Sequence, residues 1–468
     1  MINSARLSGA RPANLAGASI ANKDISREFK LTAWITLLHL PLGVVLYNIG
    51  PFAIIHPIAA FIFGLRLAVR TRARLEHVAL AACYLVGAEV LWRMAKIPVF
   101  WEFGKYGSAL ILAVALIRRR NYTIPKLPFF YFAALLPSCV IALIDVDPSR
   151  ARDQISFNMS GPFFLLVSCW YFSYIKVTLP QLRRILFALI IPLLSVASVT
   201  LFYTAAAENI QFNTESNFAT SGGFGPNQVS SMLGLGVFVS AACFLVFKNQ
   251  RKVKVVLVVM TLLFATQCLL TFSRGGIYNA VGAIIALLIF QFRNVSTGLR
   301  RLLPILVLAG LFLWFVFPVL NNFTDGKLEE RFEETGTTHR AEIVESDFQI
   351  FMENPIFGIG VGAANRYRER FLEFSAASHT EFSRLISEHG MFGIFALLSL
   401  AVFTILNIKR QRSIQGRALV AGISVWCVLF MLNAGMRLAA PSLLWGMTFI
   451  TIVDRRTAKP RFKAPVVI

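Results

Sequence analysis

The sequence predicts an all-α fold, a polytopic transmembrane helix bundle of about 12–14 spans with one large extracytoplasmic helical loop. Three observations predict it. Of 468 residues, 56% are hydrophobic and only 15% charged, with a mean hydropathy of +0.65, too little polar surface for a soluble chain. The apolar residues come in long runs separated by short basic punctuation, the mark of serial membrane spans. The runs are long and do not alternate, so they read as helices rather than barrel strands.

Taken in order, residues 1–30 are polar, without a compact apolar stretch before a cleavage site, and read as a cytoplasmic tail. Apolar runs follow at 31–49, 51–69, 78–92, 105–117, 127–144, 158–175, 185–204, 228–247, 254–272, 276–292 and 302–320, about 11 spans forming a bundle over 31–320. Residues 321–390 form the large outside loop. C-terminal spans at 391–408, 418–435 and 440–453 fill 391–453, and a second cytoplasmic tail covers 454–468. Several runs fall short of the ~20 residues that an upright span prefers, above all the fourth and the last two.

The formal net charge of +22 raises a nucleic-acid reading, which the distribution of that charge removes. With the N-terminus in the cytoplasm, 32 of the 46 Lys and Arg fall on the cytoplasmic side and 20 of the 24 acidic residues outside. The basic charge is therefore topogenic. No basic stripe interleaved with aromatics is present, so no nucleic-acid partner is expected. Cys83, Cys139, Cys169, Cys243, Cys268 and Cys427 each sit inside an apolar run with no CxxC pair and read as packing residues.

Two outside segments are longer than turns: 205–227, rich in Asn, Thr and Gly, and the loop 321–390. Long loops carry function more often than spans, which are committed to packing. Within the large loop a helix is expected through RAEIVESDFQIFMEN, capped by Thr338, with Val344, Phe348 and Phe351 on one face. NPIFGIGVGAAN breaks it. A second helix fits 379–388, with Ser378 and Glu381 as a capping box, Phe382, Leu385 and Ile386 as an apolar face, and Gly390 as its end.

The candidate chemistry lies outside the membrane. Arg274, in TFSRGG, sits at a membrane boundary where an arginine could simply snorkel to the interface. It also lies on the side where topogenic arginines are scarce, and its planar guanidinium suits bidentate capture of phosphate. Arg340 begins the first loop helix, where a cation opposes the macrodipole and gains no helix stability. Arg437 and the pair Arg93 and Lys96 are further outside cations, although Glu89 and Arg93, four apart on one helical face, could simply pair. His379 stands at an exposed helix start with these arginines on the same face. Asn227, in GPNQ, either meets substrate at the outer end of the eighth span or caps that helix. His39 and His56 lie within spans, His77 is cytoplasmic and His389 ends a helix. Six scattered histidines without paired carboxylate spacing predict neither a metal site nor a cofactor.

The order GPNQ before a span, a TFSRGG turn, then a large outside loop with RAE, NPIFGIGVG and SHTEFSRLISEHGMFG resembles the O-antigen ligase superfamily, which includes O-antigen and exopolysaccharide polymerases. The resemblance covers about residues 220–410. It implies a bacterial inner-membrane glycosyltransferase with a periplasmic active site, whose donor is an undecaprenyl-diphosphate-linked glycan. The acceptor it implies is a hydroxyl of another glycan or of lipid A core, in lipopolysaccharide or exopolysaccharide synthesis. It assigns Arg274 and Arg340 to the diphosphate and His379 to general-base work on the acceptor hydroxyl. Many relatives carry Asn after that histidine; here it is Thr380, so Thr380 or Glu381 would orient the imidazole. The chemistry fits without the analogy: guanidinium groups stabilise a departing diphosphate without a metal, and an imidazole can take a hydroxyl proton. In-line attack would invert the anomeric carbon. Membrane lipid and other polysaccharide-assembly proteins are the further partners implied.

The alternatives are a polysaccharide transporter or flippase, a protein O-oligosaccharyltransferase, and a scaffold within an assembly complex. A transporter predicts mid-membrane charges and symmetry between halves, and neither is evident in the sequence.

Overall fold

Each apolar run becomes helical over all or part of its length in the computed structural model, which describes residues 33–70, 74–118, 124–247, 249–291, 295–334, 340–372, 380–433 and 437–453. Ten helices among the described residues are long and apolar enough to cross a membrane. The chain is a multi-pass membrane protein with an all-α bundle.

The first half contributes α1 (Ala33–Asn48), α2 (Gly50–Val69), α3 (Leu75–Met94) and α4 (Phe103–Ile117). The next run is split into α5 (Lys126–Ala134) and α6 (Leu136–Asp145), because Pro137 has no N–H to continue the ladder. Asp147 caps α7 (Pro148–Ser173) through the Arg150 N–H at 3.0 Å. A capping box between Thr178 and Gln181 starts α8 (Leu179–Ala206).

The second half runs through α9 (Pro226–Val246), α10 (Arg251–Leu270) and α11 (Arg274–Ile289). Next come α12 (Val295–Leu311), a π-helical stretch Phe312–Val316, and α13 (Phe317–Phe323). The loop helices are α14 (Lys327–Glu333), α15 (Arg340–Glu353), α16 (Ala364–Arg368) and α17 (Glu381–His389). The chain closes with α18 (Met391–Arg410), α19 (Ile414–Met431) and α20 (Ala439–Met447).

The expected span at 440–453 is corrected. α20 has nine residues, about half of what crosses a bilayer. After it the chain runs to Thr451–Ile452, which pairs in parallel with Lys176–Val177 before α8. Leu443, Leu444 and Trp445 are buried, so this partly irregular crossing is wrapped in protein, the setting in which non-helical backbone is tolerated at membrane depth.

The core holds α3, α7, α8, α9, α19 and α20, with Phe164, Phe172, Phe238, Trp426 and Trp445 fully buried. At the crossing of α9 and α11 the backbones touch: a Cβ on Gly276 would lie 2.1 Å from the Ser230 carbonyl oxygen. The second glycine of TFSRGG is therefore a packing requirement, and it fixes where α11 begins. All six cysteines are free, five of them buried.

Candidate functional site

One end of the bundle carries the loop after α8 and the helices α14 to α17, and two polar clusters form there. The first gathers around the start of α11. Arg274 is the first residue of that helix and donates to the Glu334 carbonyl. Arg331, on α14, donates through Nε to the Phe272 carbonyl at 3.0 Å and through a terminal nitrogen to the Glu334 carboxylate at 3.0 Å. Arg340, the first residue of α15, donates to Asn433 Oδ1 at 3.2 Å. Burial, and then the charges of Arg274 and Arg331, push the Arg340 guanidinium below its ordinary range. Such a cluster gains when an anion arrives to relieve the mutual repulsion.

Asn227 borders this cluster. Its Oδ1 accepts from Ser273 Oγ at 2.7 Å, and Ser273 is the residue on which α11 starts. Arg331 is a member that sequence reasoning passed over. Set in KLEERFEE, it looks like one charge on a solvated face, yet its side chain is 7% exposed.

The second cluster is a cavity of about 330 Å³ where α7, α16, α17 and the α19–α20 connection meet. Glu381 and Glu388 are buried in it, and Asp153, Phe157 and Asn365 are exposed at its rim. Arg384 organises the floor. Its Nε and one terminal nitrogen reach both oxygens of Glu381 at 3.1 and 2.5 Å, and the other terminal nitrogen reaches Glu388 at 2.7 Å and Asn158 at 3.0 Å. Burial raises the Glu388 carboxyl above its usual range, against Arg384 and the Gly362 N–H, which favour the anion. Arg437 lines the same cavity, and burial, followed by Arg384, lowers its guanidinium.

The run GIGVG explains how α17 is held. Gly358, Gly360 and Gly362 all have positive φ, open to glycine and strained for other residues. With that backbone, Ile359 N–H donates to the Ser387 carbonyl at 3.2 Å and Gly360 N–H to the Glu388 carbonyl at 3.1 Å. The orphan carbonyls at the end of α17 are thereby satisfied. A Cβ on Gly358 would lie 2.4 Å from the Glu388 carbonyl oxygen. The glycines serve a helix end rather than a phosphate.

Behind the cavity, a buried ion pair clamps the loop helices. Arg368 Nε donates to Asp347 Oδ1 at 2.7 Å, and Ser383 Oγ donates to Asp347 Oδ2 at 2.6 Å. This joins α15, α16 and α17. It also corrects the expected packing of α15: Ile343, Ser346, Asp347 and Ile350 are buried, while Val344 and Phe348 are exposed. The N-cap of α17 is corrected too. Thr380, rather than Ser378, accepts the Ser383 N–H at 3.3 Å, because its extended backbone leads directly into the helix. Thr380 thus caps the helix start, and Glu381 holds Arg384.

His379 and Thr338 lie outside the described residues. His389 does not: it is buried at the end of α17, with Nδ1 2.6 Å from Ser138 Oγ. Ser138 Oγ also reaches the Leu135 carbonyl at 2.9 Å, so the hydroxyl and the imidazole share one buried network. Burial, then Arg384, pushes this imidazole down to about 3. His389 is a neutral structural group.

The remaining candidates lie elsewhere. Arg93 pairs with Glu89 at 2.7 Å, the four-residue spacing realised, and also donates to Gln228 Oε1 at 3.2 Å. The second oxygen of Glu89 accepts the Ala439 N–H at 2.7 Å, so this pair anchors α20 below Arg437. Lys96 is exposed in the turn after α3, with positive φ. Among the described residues, no group of His, Cys, Asp and Glu is arranged to hold a metal ion.

Residues 259–398 match the O-antigen ligase family. The resemblance read from the motifs therefore stands for this segment of the chain. The match runs from α10 into α18. It includes Arg274, Arg331, Arg340, His379 and α17, and leaves α3, α7 and Arg437 outside. No curated protein is similar enough to the chain to count as a match.

Proposed function

From a membrane bundle carrying an O-antigen ligase segment, we propose a glycosyltransferase that moves a glycan from undecaprenyl diphosphate to a sugar hydroxyl at the periplasmic face of the inner membrane. The observation that carries this reading is the meeting of Arg274, Arg331 and Arg340 at the start of α11. Three guanidinium groups held together, one of them disfavoured by burial and then by the other two, suit capture of a diphosphate.

In this reading Arg274 and Arg340 bind the diphosphate, and Arg331 holds the Phe272 carbonyl in the turn that leads into Arg274. The acceptor hydroxyl oxygen forms a bond to the anomeric carbon as the bond from that carbon to the diphosphate breaks. Undecaprenyl diphosphate leaves with the electron pair, and the two arginines take up the growing negative charge. The hydroxyl proton passes to His379. A single displacement inverts the anomeric carbon, and the guanidinium groups take the place of a metal.

The test uses cells lacking the gene, complemented with wild type, Arg274→Ala, Arg340→Ala or His379→Ala at matched membrane levels. Each variant is expected to accumulate lipid-linked glycan while mature polymer disappears. Wild-type polymer in all three would end the proposal and favour transport or scaffolding.

A further inference from the structure

The geometry points to the cavity between α7 and α17 as the acceptor subsite, built for an uncharged or amine-bearing sugar and given its specificity by α7. This inference rests on the glycosyl-transfer reading and adds a substrate class and residues to it.

Charge is the first argument. Arg384 and Arg437 face Glu381, Glu388 and Asp153, so carboxylates equal or outnumber guanidinium groups. Arg384 is already engaged by Glu381 and Glu388. Glu381 offsets part of the pull of burial and Arg384 on Arg437, so a phosphate gains less there than at Arg340, which Arg274 and Arg331 oppose. Lining chemistry is the second. Gln154, Asn158 and Asn365 supply amides, the acids supply acceptors, and Phe157 supplies an aromatic face at the rim. Planar polar groups that bridge neighbouring hydroxyls, beside a ring that covers a C–H face, suit a pyranose better than a lipid or a peptide. A cavity of about 330 Å³, at the small end of ligand pockets, holds roughly one or two sugar rings.

Preorganisation is the third. Asn158 is fixed from both sides, accepting from Arg384 at 3.0 Å and donating to the Gln154 carbonyl at 2.9 Å. Gly362, with φ of 77°, leaves room for it, since a Cβ there would lie 2.7 Å from Asn158 Nδ2. Position is the fourth. Glu381 of the floor is two residues after His379. Asn433, which holds Arg340, and Arg437, which lines the cavity, belong to the same α19–α20 connection. The phosphate cluster and the sugar cavity are thus tied to one short segment.

The lining residues of α7 lie outside the family match. The cavity thus combines α17, inside the matched segment, with α7, outside it.

The test uses the full-length protein in lipid nanodiscs, because maltoside detergents are themselves glycosides. Saturation-transfer NMR is recorded with methyl glycosides of glucose, galactose, N-acetylglucosamine and glucosamine, and inorganic diphosphate binding is measured by calorimetry. Phe157→Ala and Asn365→Ala, both at exposed positions, are expected to reduce the glycoside signal at least threefold and leave diphosphate affinity within twofold. Arg340→Gln should do the reverse. In cells, the two rim variants should slow polymer formation three- to tenfold with lipid-linked glycan retained. Unchanged glycoside signals and polymer in both rim variants would overturn the subsite, while loss of polymer in the arginine variants would leave the transfer reading in place. If diphosphate fails to bind and the arginine variants make polymer, the transfer reading itself falls, and the subsite with it.

Discussion

The two clusters at the loop-bearing end handle charge in opposite ways. Around Arg340, burial and then the charges of Arg274 and Arg331 disfavour one guanidinium, while Arg331 itself is held by the Glu334 carboxylate. Around Arg384, a guanidinium is bound on two sides by carboxylates and an amide. The first arrangement stores electrostatic free energy that an anion releases on binding; the second has spent it on holding a floor in place. A site for charge that develops during a reaction needs the former. A site that recognises hydroxyl groups needs the latter, because a rigid polar surface discriminates between sugars only if its own groups do not rearrange.

The largest effect should come from the stored-charge side. Losing one donor aimed at developing charge costs a transferase on the order of 10²–10³ in rate, and Arg274→Gln or Arg340→Gln should reach that range in a reconstituted transfer assay. Lysine at position 340 restores charge without the planar fork, and it should recover only part of the loss. Full recovery by lysine would mean that point charge alone matters there, and the contrast between the clusters would be one of degree.

Next in size is the scaffold beneath the cavity. Asp347→Ala leaves Arg368 buried without its carboxylate, and breaking one side of a buried pair typically costs about 3–5 kcal/mol. Thermal unfolding in nanodiscs should show a large drop in stability, with glycoside binding lost before diphosphate binding. If diphosphate binding fails first, α15 depends on the clamp more than α17 does.

Acid should separate the clusters as well. The His389 imidazole, at about 3 in the fold, stands near 6.5 in an unfolded chain. Its neutral form is favoured by folding, so this contribution is present above pH ~6.5 and is lost as pH falls towards 3. Glu388, raised by burial, works the other way and favours the fold as it protonates. The histidine contribution, on the order of a few kcal/mol when fully expressed, is isolated by His389→Gln. Wild type should lose stability between pH 6.5 and 4 more steeply than this variant. Parallel curves would mean that His389 opens to water before the fold yields.

What the sequence made legible follows from range. The helices were readable because hydropathy runs are local. Arg274 stood out against the topogenic pattern and Arg340 against the helix dipole, and the structure brings the two near one another. The covering of a face is not local. Val344 and Phe348 recur at helical spacing, but the periodicity could not say that Asp347 and Ile350 would take the buried side. Gln154 and Asn158 carried no signal, since polar residues in the first turns of a span resemble any interfacial end. Arg384, the partner of Asn158, is 226 residues away from it. Arg331 was hidden by its acidic neighbours, and the glycine run showed only that a helix breaks there, not that its backbone would close the end of α17.

The smallest predicted effect is the cleanest test of the comparison. Raising NaCl from 0.05 to 0.5 M shortens the screening length from roughly 14 Å to roughly 4 Å. Diphosphate at the partly exposed Arg340 cluster feels that screening, whereas glycoside hydroxyls bound by fixed amides and carboxylates scarcely do. Diphosphate affinity should therefore fall about three- to tenfold while the glycoside signal stays within twofold. Equal sensitivity in both would show that the cavity, too, recognises its ligand by net charge. The division between a cluster that stores repulsion and a floor that has neutralised it would then have to be given up.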